Sequence, residues 1–283
     1  MTEPELLRYA AFTDQPAGGN PAGVVLDARG LDAARMQAIA AEIGYSETAF
    51  LSPREDGGYD TRYYSPEKEI TFCGHATIAA AVALAERTAP GRLRLHTRVG
   101  EVVVDTQRGQ GRTTATLTSV APRVETVPDA VLDQALAALR WSPPELDPAL
   151  PPRIGFAGAR HLILAARTRE RLRDLDYDYA ALKRLMLAND LTTVALLWRE
   201  SSTLFHARNP FPPGGVVEDP ATGAAAAAFG AYLRELRLVA LPATVAIRQG
   251  VDMGRPSLLT VDIGEHGGIR VSGEAVPVAA QSI

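Results

Sequence analysis

The chain has 283 residues, 46% hydrophobic and 22% charged, with a formal net charge of −4. Those totals describe a globular chain long enough for one large or two medium domains. The acidic balance and the lack of any basic run argue against a general nucleic-acid binder. The single cysteine, Cys73, excludes an intramolecular disulfide. The acidic start Met1-Thr2-Glu3-Pro4-Glu5 lacks the basic-then-apolar layout of a signal peptide, and together these features predict a cytoplasmic protein. The longest apolar runs, Ala76–Ala85 and Ala221–Leu233, are too short and too alanine-rich to span a bilayer.

In chain order, Leu6–Phe12 reads as a strand and Thr13–Pro21 as a Gly- and Pro-rich loop ending in Gly18-Gly19-Asn20-Pro21. Ala22–Leu26 is a short apolar strand. A helix follows, with Asp32 as N-cap, Met36, Ile39, Ala40 and Ile43 on one apolar face, and Gly44 as its stop. Thr48–Leu51 and Tyr59–Tyr64 read as strands. Ala76–Arg87 is a helix that is apolar all round, so it is expected to be buried on every side. Arg92–Thr97, Glu101–Thr106 and Thr113–Ser119 alternate as antiparallel strands with Gly-containing turns. Ala121–Asp129 reads as a linker, Asp129–Trp141 as a helix and the proline-rich Ser142–Arg153 as a loop. Strands are predicted at Arg160–Ala166, Thr192–Arg199 and Thr203–Ala207. Thr222–Arg234 is the second buried helix, and Thr244–Gln249, Ser257–Ile263 and Ile269–Val278 close the chain.

One pattern occurs twice. Tyr64-Ser65-Pro66 through Cys73-Gly74-His75-Ala76-Thr77 leads into one alanine-rich helix, and Asn209-Pro210-Phe211 through Glu218-Asp219-Pro220-Ala221-Thr222-Gly223 leads into the other. Aligning Ala76-Thr77 with Ala221-Thr222 predicts two similar halves. The expected fold is α+β: two pseudo-symmetric halves, each a curved, mostly antiparallel sheet wrapped around a central apolar helix. The halves are expected at 1–120 and 121–268, with the last strand, about 269–283, returning to the first. A cleft is expected between Cys73–Thr77 and Glu218–Ala224. Rossmann and phosphate-loop glycine patterns are absent.

The polar residues stand where each helix begins. A helix N-terminus carries about half a positive charge and unpaired N–H groups, which favours an anionic ligand such as a carboxylate. His75 reads either as a loop-end polar residue or as an acid–base group. Asp219 reads either as an N-cap with Pro220 at the first helical position or as a functional carboxylate. Cys73 reads first as a small buried residue and second as a reactive thiol. Glu47 is a solvated strand-end glutamate or a proton carrier; Asn20 is a turn residue or a ligand donor. Arg255 pins an anion or only a loop. The histidines have no metal-ligand spacing, and no GxSxG elbow is present.

Gly19-Asn20-Pro21-Ala22, Ser46-Glu47-Thr48, Cys73-Gly74-His75-Ala76-Thr77, Glu218-Asp219-Pro220-Ala221-Thr222-Gly223 and Gly254-Arg255-Pro256-Ser257 occur in the order seen in the phenazine-biosynthesis PhzF-like proteins. The resemblance covers essentially the whole chain. It implies the diaminopimelate-epimerase fold and isomerisation by proton transfer, with no cofactor and no metal. By motif match Glu47 takes the position of the family's proton-carrying glutamate, and His75 and Asp219 take those of its active-site histidine and aspartate. Asn20, Ser46, Cys73, Gly74, Thr222, Gly223, Ala224 and Arg255 are the expected substrate contacts. The related epimerases use one cysteine from each half; here the second half has Glu218-Asp219, so two-thiol racemisation is not implied. The family often has Ser after Ala-Thr-Gly, where this chain has Ala224. A small carboxylate substrate and a homodimer are expected, with no nucleic-acid or membrane partner. The alternative is a non-catalytic binding member of the same fold.

Overall fold

The computed structural model describes residues 4–279. The first three residues of the acidic start and the last four of the expected final strand lie outside the described residues. The chain forms two compact units: one runs up to Thr118 and takes in the stretch from Ser272 onward, and the other is Ser119–Val271.

In the first unit the strands are β1 (Leu7–Ala11), β2 (Asn20–Val25), β3 (Thr48–Pro53), β4 (Tyr59–Tyr64), β5 (Glu69–Ile70), β6 (Arg92–Thr97), β7 (Gly100–Gly109) and β8 (Arg112–Thr118). Pairing runs β1–β2–β3–β4–β6–β7–β8, and the final strand of the chain, Arg270–Pro277, joins β8 to β1. The sheet is therefore a closed barrel. The pairs β2–β3 and β4–β6 are parallel. Closure leaves the ring of strands β1–β4, β6–β8 and the final strand without an open edge among the described residues.

Two helices belong to this unit. The helix α1 (Ala33–Ile43) starts where the Asp32 side chain accepts from the Arg35 N–H and stops at Gly44, whose φ is 68°. Its Met36, Ile39 and Ala40 pack with Val25, Ala28, Phe50 and Tyr64. The helix α2 (Gly74–Arg87) fills the barrel: every residue from His75 to Ala85 is buried, against β1, β2, β3, β7 and β8. Alanine suits this place because it favours helix and lets strands approach closely.

In the second unit the strands are β9 (Arg123–Thr126), β10 (Arg153–Phe156), β11 (Arg160–Ala165), β12 (Thr193–Arg199), β13 (Leu204–Pro210), β14 (Glu218–Asp219), β15 (Ala243–Gln249) and β16 (Ser257–Ile263). They pair β9–β10–β11–β12–β13–β15–β16, with β14 hooked onto β13. The helices are α3 (Asp129–Leu139), α4 (Arg169–Arg173), α5 (Tyr179–Ala188) and α6 (Gly223–Glu235). Buried from Ala225 to Leu233, α6 packs against β9, β10, β11 and β16. Residues of α3, α4 and α5, such as Leu139, Leu172 and Leu182, join Leu162, Leu164 and Leu196 in a separate core cluster.

The two units repeat one plan. The parallel pair β2–β3 flanks α1 as the parallel pair β11–β12 flanks α4 and α5, and β4–β6 flanks α2 as β13–β15 flanks α6. The fold is thus α+β with a central apolar helix in each unit. The register of the repeat needs correction. Ala76-Thr77 lie in the first turn of α2, whereas Ala221-Thr222 precede α6. The helix starts align Gly74 with Gly223, 149 positions apart, against 145 for the Ala-Thr pairs. The error is about one helical turn, and an alanine run looks the same after one turn. Nor is Asp219 the N-cap of α6: that place belongs to Thr222. Among the described residues, no helix is long and apolar enough to cross a membrane.

Candidate active site

Four polar residues meet at the start of α2. Two tight backbone passages bring them there. Gly19 has φ +64°, and a Cβ on it would stand 2.4 Å from the Ala11 carbonyl oxygen and 2.5 Å from Thr13 Cγ2. Only glycine takes this turn, which delivers Asn20 into β2 opposite Ala11. Gly23, further along β2, donates its N–H to the Glu47 carbonyl at 3.1 Å, and this bond places Glu47 at the mouth of β3. A Cβ on Gly23 would lie 2.5 Å from Thr48 Oγ1 and 2.8 Å from Thr48 Cγ2. The close β2–β3 approach therefore depends on a missing side chain.

Cys73 is the N-cap residue of α2, in extended conformation. Its carbonyl accepts from the Thr77 hydroxyl at 2.6 Å. Since that proton is committed, the Tyr63 hydroxyl is the donor to Thr77 Oγ1, also at 2.6 Å. Burial raises the Tyr63 pKa and keeps the phenol protonated. This chain fixes the entry of α2 and hence His75.

His75 is the centre of the cluster. The Asn20 amide nitrogen lies 3.2 Å from Nδ1. With the amide donating, Nδ1 is an acceptor and the ring hydrogen sits on Nε2, 3.3 Å from Glu47 Oε2. The His75 side chain is 7% exposed and that of Glu47 17%. The low exposure shelters the pair from competing water.

Glu47, Cys73 and His75 also form a group of potential metal donors, with atoms within 4.8 Å of one another, which sequence spacing did not show. Their arrangement is wrong for one ion. The sulfur lies 3.3 Å from Nδ1 and 3.9 Å from Nε2, so it stands beside the ring. A metal held about 2.0–2.1 Å out on Nε2 would sit roughly 5 Å from that sulfur, well beyond the ~2.3 Å of a zinc–thiolate bond. Nδ1 is already engaged by Asn20. The set fits a hydrogen-bonded histidine flanked by a thiol.

A second cluster lies in the other unit, before α6. The Thr222 hydroxyl donates to Asp219 Oδ2 at 2.6 Å. Gln249, at the end of β15, donates to the Asp219 carbonyl at 2.7 Å and to Thr222 Oγ1 at 3.0 Å, and accepts from the Thr222 N–H at 3.2 Å. Glu218 faces inward and forms a two-pronged pair with Arg208, at 2.9 and 2.5 Å. Gly250 has φ +73°, and a Cβ there would stand 2.3 Å from the Arg255 carbonyl and 2.8 Å from that of Pro220. The Arg255 backbone is thereby held against the Asp219 turn.

The structure thus brings together Asn20, Glu47, Cys73 and His75 in one unit, and Asp219, Thr222 and the Arg255 backbone in the other. Gly74 opens α2, and an added Cβ there meets nothing within 4 Å. Gly223 and Ala224 are the first residues of α6, both half-buried. Ser46 is exposed beside Glu47. Thr222 spends its hydroxyl proton on Asp219, so it acts through that carboxylate. Sequence reading missed Gly23, Tyr63, Thr77 and Gln249. The first three stand in or next to recognised motifs; Gln249 has only the following glycine to mark it.

Residues 9–281 match the phenazine biosynthesis-like protein family. The chain is 34% identical over 253 residues to trans-2,3-dihydro-3-hydroxyanthranilate isomerase of Pseudomonas fluorescens, covering 88% of this chain and 86% of that protein. It is similar to the Bacillus anthracis phenazine biosynthesis protein of the PhzF family, with a TM-score of 0.88 and 26% identity over 99% of this chain and 98% of that one. A probable proline racemase from Agrobacterium radiobacter K84 shares the fold, at a TM-score of 0.65 and 14% identity over 98% and 92% of the two chains. With the repeated strand–helix plan and polar clusters at both helix starts, these likenesses make the chain a member of the phenazine biosynthesis-like, or PhzF, family and an isomerase.

Proposed function

We propose that this isomerase moves a proton on a small carboxylate-bearing substrate without a cofactor, and that Glu47 carries the proton. The observation that supports this most is the directed chain Asn20–His75–Glu47. The Asn20 amide lies 3.2 Å from Nδ1, and Nε2 stands 3.3 Å from the Glu47 carboxylate. A carboxylate flanked on one side by the imidazole keeps a free lone pair for a substrate C–H and returns the proton after the double bond has shifted. His75 holds Glu47 in place through both steps. The start of α2 supplies N–H groups and positive dipole for the substrate carboxylate and for charge developing at the reacting carbon. Asp219 is assigned to the same reaction through its place in the family motif. Cys73 has no matching thiol in the second unit, so the proposed reaction uses no thiol pair.

The Pseudomonas fluorescens relative is named for trans-2,3-dihydro-3-hydroxyanthranilate, itself a small carboxylate. That compound is the first to try, followed by a panel of small unsaturated and amino carboxylates, because Ala224 offers no side-chain hydroxyl. Turnover followed by NMR in D₂O is the test. The Glu47→Gln variant keeps the shape and is expected to lose about 10²–10⁴-fold in turnover while still binding substrate. Near-normal turnover by Glu47→Gln would remove Glu47 from the role. Failure of the wild-type protein on every member of the panel would count against the substrate class.

A further inference from the structure

We infer that Gln249 is a positioning residue that commits the Thr222 hydroxyl proton to Asp219; its importance for turnover rests on the part in catalysis proposed for Asp219. Gln249 is 1% exposed, at the C-terminal end of β15. A buried amide requires partners on both sides, and this one has them. Its oxygen takes the Thr222 N–H at 3.2 Å, and its nitrogen serves the Asp219 carbonyl at 2.7 Å and Thr222 Oγ1 at 3.0 Å. The two N–H bonds of the amide match these two acceptors.

The orientation of the amide is forced. Turned over, it would set its oxygen against the Asp219 carbonyl oxygen and its NH₂ against the Thr222 N–H, losing both bonds. With the amide nitrogen donating into Thr222 Oγ1, the Thr222 hydroxyl hydrogen has Asp219 Oδ2, 2.6 Å away, as its acceptor. The relay therefore has one direction, from Gln249 through Thr222 to Asp219. It also occupies the Thr222 N–H, which leaves Gly223 and the residues after it to present the open N–H groups of α6. Gly250 keeps the amide from backing away. Its missing Cβ lets the β15 end close onto Pro220, the residue after Asp219. No local motif announces Gln249, because its partners are 27 and 30 positions away.

The test uses the full-length protein carrying ¹³C-labelled aspartate, with the Asp219 carboxyl resonance identified by its loss in Asp219→Asn. Gln249→Leu and Thr222→Val are each expected to shift that resonance, with no further shift in the double variant, and Thr222→Ser, which keeps the hydroxyl, is expected to restore it. On trans-2,3-dihydro-3-hydroxyanthranilate, or whichever panel carboxylate is turned over, Gln249→Leu is expected to lower kcat about 10-fold or more and leave KM within about twofold, as loss of alignment does. An Asp219 resonance unmoved by Gln249→Leu, or unmoved by Thr222→Val, overturns the relay, whatever the turnover. A moved resonance with kcat unchanged overturns the positioning role. Should Gln249→Leu fail to fold, Gln249→Met gives the same readout. If the wild type turns over nothing while the resonance still responds, the proposed function fails and the relay stands.

Discussion

Replacing Gly23 by alanine tests whether the β2–β3 contact sets the place of Glu47. The added methyl would stand 2.5 Å from Thr48 Oγ1, 2.8 Å from Thr48 Cγ2 and 2.9 Å from Ile43 Cδ1. Ile43 Cδ1 is the end of a flexible chain and can swing. Thr48 is fully buried, and both of its branches are in the way. The backbone cannot easily yield, because Gly23 pairs with Arg8 on one side and Thr48 on the other. Overpacking of this kind costs about 1–3 kcal/mol, and a barrel of this size then loses roughly 3–12 °C in Tm. The rescue is specific. Thr48→Ala removes both clashing atoms, including an Oγ1 that has no hydrogen-bond partner among the described residues. By itself it should cost about 1 kcal/mol or less, since the lost methyl packing is set against removal of an unsatisfied hydroxyl. The double variant should recover most of the loss, a non-additivity expected only for atoms in contact. Urea unfolding at constant m measures this, and turnover measures its effect on Glu47, whose carbonyl Gly23 holds. A Gly23→Ala midpoint equal to wild type, or a double variant no more stable than Gly23→Ala, would refute the reasoning.

Three further outcomes are expected. Asn20→Ala withdraws the amide that orients His75; it should cost about 1–3 kcal/mol in stability and lower kcat about tenfold, and unchanged kinetics would show that the ring is held by other means. Glu218→Ala leaves Arg208 buried with the Arg173 carbonyl as its remaining partner among the described residues, and denaturant unfolding should show a loss of about 3–5 kcal/mol, partly recovered when Arg208→Met is added. His161 is fully buried, and burial lowers its pKa to about 3. It donates from Nδ1 to Thr193, which passes its own proton to Asn209. The unfolded chain takes up a proton near the ordinary value of 6.5 while the folded chain does not. Stability should therefore fall as pH drops from 6.5 towards 3, by up to about 1.4 kcal/mol per pH unit. His161→Gln should flatten that slope, and an identical acid profile would exclude His161 as its source.

Some of this protein is legible residue by residue. Asp32 and Gly44 mark the ends of α1 because capping is local chemistry, decided within four or five positions. The all-round apolar, small-residue runs mark α2 and α6 as buried because no polar face is left to meet water. The doubled motif reveals two units of one plan, and its polar residues lie at the helix starts, where dipole and open N–H groups concentrate. The register of the repeat was not legible, since alanines one turn apart are equivalent in composition and only the strands packed around each helix decide where it begins. Nor did spacing along the chain show Glu47 beside Cys73 and His75, which only the family resemblance implied, because the packing of β3 against the start of α2 sets that separation. The same distances place the thiol beside the imidazole, out of line with its lone pairs, which composition cannot express. Gln249 belongs wholly to the tertiary structure: a glutamine at a strand end has many possible partners, and only the approach of β15 to the Asp219 turn, through the gap left at Gly250, selects Thr222 and Asp219 from among them.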